Sequence, residues 1–433
     1  MRLQFSLHNE QLFICDNTQE CDMQTYLLRT SQNDLYLKDF DAKKCKGILS
    51  IATCKQLLGI DERIKIIGIT GTNGKTTTAA AIYSILLDLG KKVGLQGTRG
   101  SFINDVKVSD KSLTTPPILQ TLHNLHVASQ QCCEYFVMEV SSHAIVQKRV
   151  EGLSFALKIL TNISQDHLDY HKTFENYVAI KSSFFDDTSL KLINKDEPKI
   201  QFNPKNCMTY GLEKPATYKV AAYSLKDGIS VAIQNIDKMF HFHSSMHGLF
   251  NVYNLTAALS GVDMLKVAPQ NEICEAIENF AGVSGRMEVV SEEPLVIVDF
   301  AHTPDGIEKV LDALKEKEII VVFGAGGDRD RSKRPLMGKI AKRFSKYCII
   351  TSDNPRSEDP LAIIADIQKG ISNNDGLHVQ PDRKKAIALA LQLCTNEVVV
   401  ILGKGDETTQ EIQGMKFAFD DREIVQELLK KDL

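Results

Sequence analysis

The sequence predicts an α/β protein with three domains, and three observations lead to that prediction. Its 433 residues are enough for two to three domains that each bury a core of their own. Residues 64–77 read as a buried strand, a glycine-rich turn and the start of a helix. Beyond them, apolar runs alternate with helical patterns in two blocks, which indicates two mostly parallel sheets. We place the domains at residues 1–61, 62–284 and 285–433.

The glycine-rich turn has the composition of a phosphate-binding loop. It reads Thr-Gly-Thr-Asn-Gly-Lys-Thr-Thr, and Gly71 and Gly74 let the backbone bend so that its N–H groups line an anion. Lys75 is then expected to reach the β- and γ-phosphates of a nucleotide, and the Thr76 hydroxyl to hold Mg²⁺. The strict Walker spacing requires glycine where Ile69 stands, so this loop is a variant. The alternative is a glycine-rich hairpin with a chance lysine.

The two α/β blocks differ in length and in their predicted elements. Residues 200–245 alternate more than their neighbours and predict an antiparallel excursion, and residues 248–265 predict a helix. The second block begins near Met287. The predicted strands are Lys65–Thr70, Lys92–Gln96, Tyr135–Val140, Leu157–Asn162, Leu295–Phe300, Glu318–Gly324, Tyr347–Ser352 and Glu397–Leu402, and the predicted helices of the second block include Asp305–Lys315 and Pro360–Ile371. Polar clusters follow these strands, as expected where parallel strands deliver side chains to a site at their carboxyl ends.

Composition narrows the class of protein. The net charge of −4 and the scattered lysines argue against nucleic-acid binding. No stretch approaches the ~20 apolar residues of a membrane span, and the first residues lack an apolar signal core. The ten cysteines have no Cys-x-x-Cys pair, which is typical of reduced thiols. We therefore expect a cytoplasmic enzyme without nucleic-acid partners or membrane insertion.

Two polar clusters of the first block suggest metal ligands. Glu139 ends an apolar run, and a carboxylate near the phosphate loop suits Mg²⁺, which prefers few carboxylates together with water and phosphate oxygens. An equally weighted alternative is that one of the two following serines caps a helix while the next histidine lies in the core. The stretch 161–171 is dense in possible ligands, and Lys181 follows it on a predicted helix.

Other candidate residues are individually weak. Asn251 and Asn254 lie three residues apart on one face of the predicted helix. Their amide groups would either form hydrogen bonds with the edge of an adenine base or cap the helix. Arg286 offers a guanidinium group that binds phosphate well. Asp299 and His302 lie at the end of a predicted strand.

The second block also contains a possible pocket for a zwitterion. Residues 323–338 combine three early glycines with a dense run of charges, which is either a ligand-binding loop or a solvated one. The run is not a Rossmann fingerprint, because the third glycine is missing at the required spacing. Guanidinium groups bind carboxylates, and a carboxylate binds an ammonium group. The residues that would supply these groups are Arg329, Arg356 and Glu407.

Together, these motifs resemble the Mur ligase family, the ATP-dependent amide ligases that build the stem peptide of peptidoglycan. The matching motifs occur in order between about residues 64 and 412. Within the family, the chain is similar to the members that add meso-diaminopimelate to UDP-N-acetylmuramoyl-L-alanyl-D-glutamate through an acyl phosphate. The run Asp353-Asn-Pro-Arg356 favours that branch, because Arg356 suits the second carboxylate that lysine lacks. The resemblance implies ATP and Mg²⁺ as cofactors, small-molecule substrates and a monomer.

The resemblance also implies a short N-terminal domain for the UDP substrate, a central P-loop ATPase domain and a C-terminal Rossmann-like domain for the amino acid. The implied nucleotide-binding positions are Gly71, Thr72, Asn73, Gly74, Lys75, Thr76, Thr77, Asn254, Arg286, Asp299 and His302. The implied metal ligands are Thr76, Glu139, His167 and Lys181, the last as a carbamate. The implied contacts of the UDP-muramoyl substrate are Thr114, Thr115, Ser141, Gln147 and Arg149. The implied amino-acid pocket contains Arg329, Asp353, Asn354, Pro355, Arg356, Gly403 and Glu407. The implied catalytic residues are Lys75, Lys181, His167 and Arg286.

The chain departs from the family's pattern at a few places. Its N-terminal segment is short, and only Arg29 and the run from Asp34 match the motif for uridine. Phe300 stands where tyrosine is common, and Asp406 where histidine is common. Two other readings compete: folylpolyglutamate synthetase, which lacks the Asp-Asn-Pro-Arg run, and a regulatory P-loop protein, which has no use for an amino-acid pocket.

Overall fold

The computed structural model describes residues 1–7, 10–110, 113–236 and 238–431, in which the chain forms three large sheets and a hairpin. The N-terminal sheet has four strands in sequential order: β1 (Arg2–Leu7), β2 (Glu10–Cys15), β3 (Thr25–Leu28) and β4 (Gly47–Leu49). Two helices accompany it, α1 (Asp34–Leu37) and α2 (Ile51–Leu57). The longest of them, β1 and β2, mix polar with apolar residues, so their pattern in the sequence is weak.

The central sheet has eleven strands, in the order β15-β14-β13-β12-β11-β10-β5-β9-β6-β7-β8. Its strands are β5 (Lys65–Thr70), β6 (Val93–Gly97), β7 (Gly100–Ile103), β8 (Val106–Ser109), β9 (Tyr135–Glu139), β10 (Phe155–Leu160), β11 (Lys191–Asn194), β12 (Cys207–Gly211), β13 (Tyr218–Ser224), β14 (Ile229–Asn235) and β15 (Lys238–Ser244). The four predicted strands of this block are confirmed to within two residues. The predicted antiparallel excursion is too long, because β12 and β13 still pair in parallel and only β13 to β15 are antiparallel.

Helices cover both faces of the middle of this sheet. They are α3 (Lys75–Asp88), α4 (Ile118–Gln130), α5 (Ser142–Val146), α6 (Leu168–His171), α7 (Phe174–Ser183), α8 (Leu249–Met264) and α9 (Gln270–Glu278). Alternate side chains of β5 enter two different cores: Ile67 and Ile69 pack with α3 and α8, whereas Ile66 packs with α4. Burial on both faces explains why the strand reads as one continuous apolar run.

The C-terminal sheet has the order β16-β17-β21-β18-β19-β20, and only β16 runs antiparallel to its neighbour. Its strands are β16 (Glu288–Glu292), β17 (Leu295–Asp299), β18 (Ile319–Phe323), β19 (Tyr347–Ile350), β20 (Leu377–Val379) and β21 (Val398–Leu402), and the hairpin is β22 (Thr409–Ile412) with β23 (Met415–Ala418). Its helices are α10 (Pro304–Asp312), α11 (Lys333–Phe344), α12 (Pro360–Gln368), α13 (Arg383–Leu393) and α14 (Asp421–Lys431). The predicted second parallel sheet is confirmed, although the two predicted helices end three residues early.

Parallel strands of the two larger sheets end at the same region of the molecule. The loops after β5, β6 and β10 and the end of β9, together with the loops after β17, β18, β19 and β21, supply side chains to one cleft. Ligands of open parallel sheets bind at the carboxyl ends of the strands. In the described part of the chain, no helix has both the length and the apolar composition needed to cross a membrane.

Candidate active site

A cleft of about 430 Å³ lies between the phosphate loop and the C-terminal sheet. It gathers residues that the sequence analysis assigned to different ligands. The predicted residues that line it are Thr72, Asn73, Gly74, Lys75, Thr76, Thr77, Thr114, Glu139, His167, Asn254, Arg286, Asp299, His302, Arg329, Asp353, Asn354, Arg356, Gly403 and Glu407. The predicted residues outside its lining are Gly71, Thr115, Ser141, Gln147, Arg149, Lys181 and Pro355.

The phosphate loop wraps the N-terminus of α3. Gly74 precedes the helix with φ 82°, and a Cβ atom there would overlap the side chain of Asn254. No side chain caps the helix, so its first N–H groups and its positive dipole end are available to an anion. Lys75 folds back over the loop, and its Nζ donates to the carbonyl oxygens of Gly71 at 3.0 Å and Thr72 at 2.8 Å.

Glu139 lies next to this loop, and both oxygens of its carboxylate accept hydrogen bonds. It accepts from the Thr76 hydroxyl at 3.0 Å and from the backbone N–H of Thr98 at 2.8 Å, and it is 2% exposed. Ser141 caps α5 by accepting from the N–H of Ala144, which confirms the predicted serine cap, whereas His143 is only partly buried and not in the core. Thr98 was not predicted, because nothing but its place after β6 marks it.

The Thr76 hydroxyl and the Glu139 carboxylate form a ligand pair of the kind that Mg²⁺ uses. Mg²⁺ keeps several waters and takes few protein oxygens, with nucleotide phosphates completing the shell. Within the described ranges, no group of three or more His, Cys, Asp or Glu side chains is arranged to hold a metal alone.

His167 begins α6 in the left-handed region, with φ 54°. Its Nε2 lies 3.2 Å from Oδ2 of Asp166, and burial lowers the pKa of His167 well below its usual value. The neutral imidazole is the form that binds metals. Asp166 also lies 3.8 Å from Nζ of Lys333, which comes from α11 on the opposite wall. Neither Asp166 nor Lys333 was predicted as a site residue, although both lie in polar runs that the sequence analysis noted.

Lys181 is buried behind the loop, not in the cleft. Its Nζ donates to the carbonyl oxygen of Gly71 at 2.8 Å and lies 5.0 Å from the ring centroid of Tyr177. Burial, and next the charge of Lys75, lower the pKa of Lys181 well below its usual value. Both effects favour the unprotonated amine.

Three of the predicted nucleotide contacts come from the C-terminal wall. The guanidinium of Arg286 stacks 4.2 Å above the ring centroid of Phe300 and reaches to 3.5 Å from the Thr76 hydroxyl. Asp299 accepts from two backbone N–H groups, and burial raises its pKa. His302 lies 2.9 Å from the carbonyl of Phe300, and burial lowers its pKa. Phenylalanine in place of tyrosine keeps the ring on which the guanidinium stacks.

The predicted UDP-substrate contacts are linked to each other behind the cleft. The Thr115 hydroxyl accepts from the N–H of Ser141 at 2.9 Å, and its carbonyl accepts from Arg149 at 2.7 Å. Gln147 donates to a tyrosine hydroxyl at 3.3 Å. Thr114 alone among the five lines the cleft. The other four hold the wall behind it in place.

The predicted amino-acid pocket forms the far wall of the cleft. Asn354 donates through Nδ2 to Oε2 of Glu407 at 2.9 Å. Arg356 donates to the carbonyl of Gly327 at 2.8 Å and lies 3.5 Å from the Glu411 carboxylate. Arg329 is exposed at the mouth of the cleft. The buried positions of this wall are Asp353, Asn354, Pro355 and Gly403.

Direct contacts hold the two walls together. Asp305 of α10 accepts from Asn73 of the phosphate loop at 2.7 Å and from the Ser164 hydroxyl at 3.1 Å. Asp406 lies 3.4 Å from Arg99 of the turn after β6. Asp406 occupies the position where histidine is common, and its carboxylate pairs with a cation of the opposite wall. The sequence analysis missed these contacts, since each joins residues far apart in the chain.

Comparison with known proteins agrees with this geometry. Residues 69–262 match the Mur ligase middle domain, and residues 285–405 match the Mur ligase, glutamate ligase domain. The chain is 53% identical over 422 residues to UDP-N-acetylmuramoyl-L-alanyl-D-glutamate--2,6-diaminopimelate ligase of Wolinella succinogenes, covering 97% of each protein. It is 48% identical over 432 residues to the Helicobacter pylori protein of the same name, covering 97% of this chain and 96% of the other. A solved structure of a ligase with that name superposes with a TM-score of 0.66 at 29% identity, covering 100% of this chain and 99% of the other. The chain therefore belongs to the Mur ligase family.

Proposed function

We propose that this protein is an ATP-dependent amide ligase that joins meso-diaminopimelate to UDP-N-acetylmuramoyl-L-alanyl-D-glutamate in the synthesis of peptidoglycan precursors. The main support is the cleft in which the phosphate loop faces Asn354, Arg356 and Glu407. A regulatory nucleotide-binding protein needs only the first wall, whereas a ligase needs both. The two relatives described above carry the name of this activity.

The amino-acid wall has groups of the right charge for meso-diaminopimelate. Arg356 would pair with the second carboxylate, since its planar fork matches a carboxylate in two-point geometry. Glu407 would accept from an ammonium group, and Arg329 at the mouth would bind the remaining carboxylate. L-Lysine has no partner for Arg356, so its binding leaves that charge unmatched.

The first chemical step is phosphoryl transfer. An oxygen of the D-glutamyl carboxylate attacks the γ-phosphorus of ATP, and the bond from this phosphorus to the β,γ-bridging oxygen breaks. ADP departs, and the substrate carries the phosphoryl group as an acyl phosphate. Lys75, Arg286 and the N-terminus of α3 would offset the charge that spreads over the transferring group. ATP is required because amide formation from a free carboxylate in water is uphill.

In the second step, a neutral amine of the amino acid attacks the acyl carbon, and inorganic phosphate leaves from the tetrahedral intermediate. The acyl phosphate forms at one wall, and the amine is held at the other. Contacts such as that of Asn73 with Asp305 keep the walls close enough for this attack. The closed cleft would also protect the acyl phosphate from water.

We include two Mg²⁺ ions in the proposal: Thr76 and Glu139 would hold one, His167 would hold the second, and Lys181, as a carbamate, would supply a further ligand. Bound Mg²⁺ neutralises charge on the phosphate oxygens. The hydroxyl and carboxylate pair at 3.0 Å and the neutral imidazole support three of these ligands. The lowered pKa of Lys181 supports the fourth, because it favours the unprotonated amine that adds CO₂ to give a carbamate.

The proposal extends to assembly, location and domain boundaries. A monomer is sufficient, since both walls of the cleft come from one chain. All ten cysteines lie in the described ranges and are unpaired, which supports a reducing cytoplasm. Boundaries at residues 1–61, 62–284 and 285–433 are supported because each sheet falls within one of these ranges.

The deciding experiment measures ATP-dependent phosphate release with UDP-N-acetylmuramoyl-L-Ala-D-Glu and meso-diaminopimelate, L-lysine or no amine. We expect release only with the nucleotide substrate and meso-diaminopimelate. Release with L-lysine instead would keep a ligase and overturn the role of Arg356. No release with any amine would contradict the ligase and favour the folate-type or regulatory alternatives. Lys75→Ala should abolish turnover, and Lys92→Ala, at an exposed lysine after α3, should not.

A further inference from the structure

Lys404 lies beneath the amino-acid pocket, and the mechanism above does not use it. Its side chain is fully buried, although it lies between the pocket residues Gly403 and Glu407 in the loop after β21. Gly403 and Gly405 flank it, with φ 114° and 54°. These positive angles let the loop turn tightly around the lysine. A buried cation at this place needs a compensating set of acceptors.

The ammonium group of Lys404 has such a set. Nζ donates to the carbonyl of Thr409 at 2.7 Å, to Oδ1 of Asn354 at 3.3 Å and to Oε2 of Glu407 at 3.4 Å. An ammonium group has three N–H donors and no acceptor, so each donor has one partner. Two of the three partners are residues of the pocket wall.

The first consequence concerns the amide of Asn354. Its Oδ1 accepts from Lys404 and also from the backbone N–H of Glu411 at 2.9 Å. If the amide were flipped, its NH₂ group would face these two donors and lose both hydrogen bonds. The orientation with Nδ2 toward Glu407 is therefore the one that Lys404 stabilises.

The second consequence concerns the carboxylate of Glu407. Oε2 accepts from both Lys404 and Asn354, whereas Oε1 accepts no hydrogen bond from any residue in the described ranges. The side chain is 24% exposed and lines the cleft. Oε1 is thus the oxygen left for an ammonium group of the ligand.

We propose that Lys404 is a positioning residue for the amino-acid substrate. It holds the NH₂ group of Asn354 and Oε1 of Glu407 in the orientation that binds the carboxylate and the ammonium group of one zwitterion. This inference rests on the proposed function, because it assumes that an amino acid occupies this wall. Lys404 itself does not touch the substrate.

The test is a steady-state comparison of Lys404→Met with the wild type. We expect the KM for meso-diaminopimelate to rise roughly 10–100-fold, the effect of losing hydrogen bonds from a charged group. The KM values for ATP and for the UDP substrate should stay unchanged. Lys404→Gln, which keeps a donor without the charge, should show a smaller rise and serves as the second variant if the methionine variant does not fold.

Lys191→Met is the matched control. Lys191 is also fully buried, and its Nζ donates to the carbonyl oxygens of Asp187 and Lys205 at 2.9 Å, in the central domain away from the cleft. It should lower the melting temperature without raising the KM for the amino acid. A thermal melt of each variant separates lost stability from lost positioning.

A double-mutant cycle makes the inference specific. Because Lys404 acts through Asn354, the rise caused by Lys404→Met should be much smaller in an Asn354→Ala background. Three results would overturn the positioning role: additive effects of Lys404→Met and Asn354→Ala, an unchanged KM for meso-diaminopimelate in both Lys404→Met and Lys404→Gln, or equal rises in the KM values for meso-diaminopimelate, ATP and the UDP substrate. A wild type that releases no phosphate with meso-diaminopimelate would instead overturn the proposed function itself.

Discussion

Replacing Arg356 by lysine tests the assignment of substrate most sharply. The guanidinium is held from behind: one nitrogen donates to the carbonyl of Gly327 at 2.8 Å, and Nε lies 3.5 Å from the Glu411 carboxylate. Its backbone N–H also donates to the Glu411 carbonyl at 3.1 Å. Its remaining terminal nitrogen, Nη2, has no hydrogen-bond partner among the residues described. Arg356 therefore presents a fixed donor to the cleft, which a flexible ammonium group cannot replace.

The magnitude follows from this geometry. A hydrogen bond to a charged group contributes about 1.5–3 kcal/mol. Losing one that forms only with the second carboxylate of meso-diaminopimelate should lower kcat/KM roughly 10–100-fold for that substrate. L-Lysine has no second carboxylate, so its kcat/KM should change little. The ratio of kcat/KM for meso-diaminopimelate to kcat/KM for L-lysine should therefore fall by the same factor, roughly 10–100-fold.

The assay is phosphate release at saturating ATP and UDP substrate, with each amine varied in turn. Arg343→Lys is the control, because Arg343 is an exposed arginine that pairs with Glu308 outside the cleft. It should leave both kcat/KM values unchanged. Equal losses for both amines in Arg356→Lys, or no loss for meso-diaminopimelate, would refute the reasoning.

Three further predictions concern charge. Protein equilibrated with ¹³C-bicarbonate should show a carbamate carbonyl resonance that Lys181→Arg lacks, because burial lowers the pKa of Lys181 and so favours the unprotonated amine that adds CO₂. Asp421→Asn should lower the free energy of unfolding by about 3–5 kcal/mol in urea titrations, since it removes the close ion partner of the fully buried Arg383 and leaves it only the Asp353 carboxylate at 4.0 Å. Asp366→Asn should lower the free energy of unfolding at neutral pH, and the difference from the wild type should become smaller in acid. Hydrogen bonds from Lys369 first, and then from an arginine, lower the pKa of Asp366, so its stabilising effect is present above the unfolded value of about 3.9 and is lost as pH falls below it.

Each of these predictions has a clear contrary result. The same resonance in wild type and in Lys181→Arg would place the carbamate elsewhere or exclude it. A loss below 1 kcal/mol in Asp421→Asn, roughly that of a surface pair, would mean that the buried pair adds little. A stability difference for Asp366→Asn that grows toward low pH would contradict the depressed pKa.

Local features of the sequence were enough to predict most of the fold. The β5 strand is buried on both faces, so its residues form an unbroken apolar run that ends at the phosphate loop. The strands β9, β18 and β21 are also buried on both faces and are likewise predicted from their apolar residues. The N-terminal sheet was less predictable, because its longest strands, β1 and β2, mix polar with apolar residues and form no continuous apolar run. The extent of the antiparallel part was also missed, since alternation along a strand reports exposure of one face and not the direction of its neighbour.

The sequence by itself determined the kinds of chemical group at this site. Lys75 follows a phosphate loop wherever the loop lies, and the run that ends at Arg356 suits a dicarboxylate without reference to any neighbour. Only the tertiary structure decided which groups meet. Asp166 approaches Lys333 from the opposite wall, and Lys404 reaches Asn354 across fifty residues of chain. Such contacts depend on how two sheets pack together, and packing is set by the sum of many distant contacts that no local pattern contains.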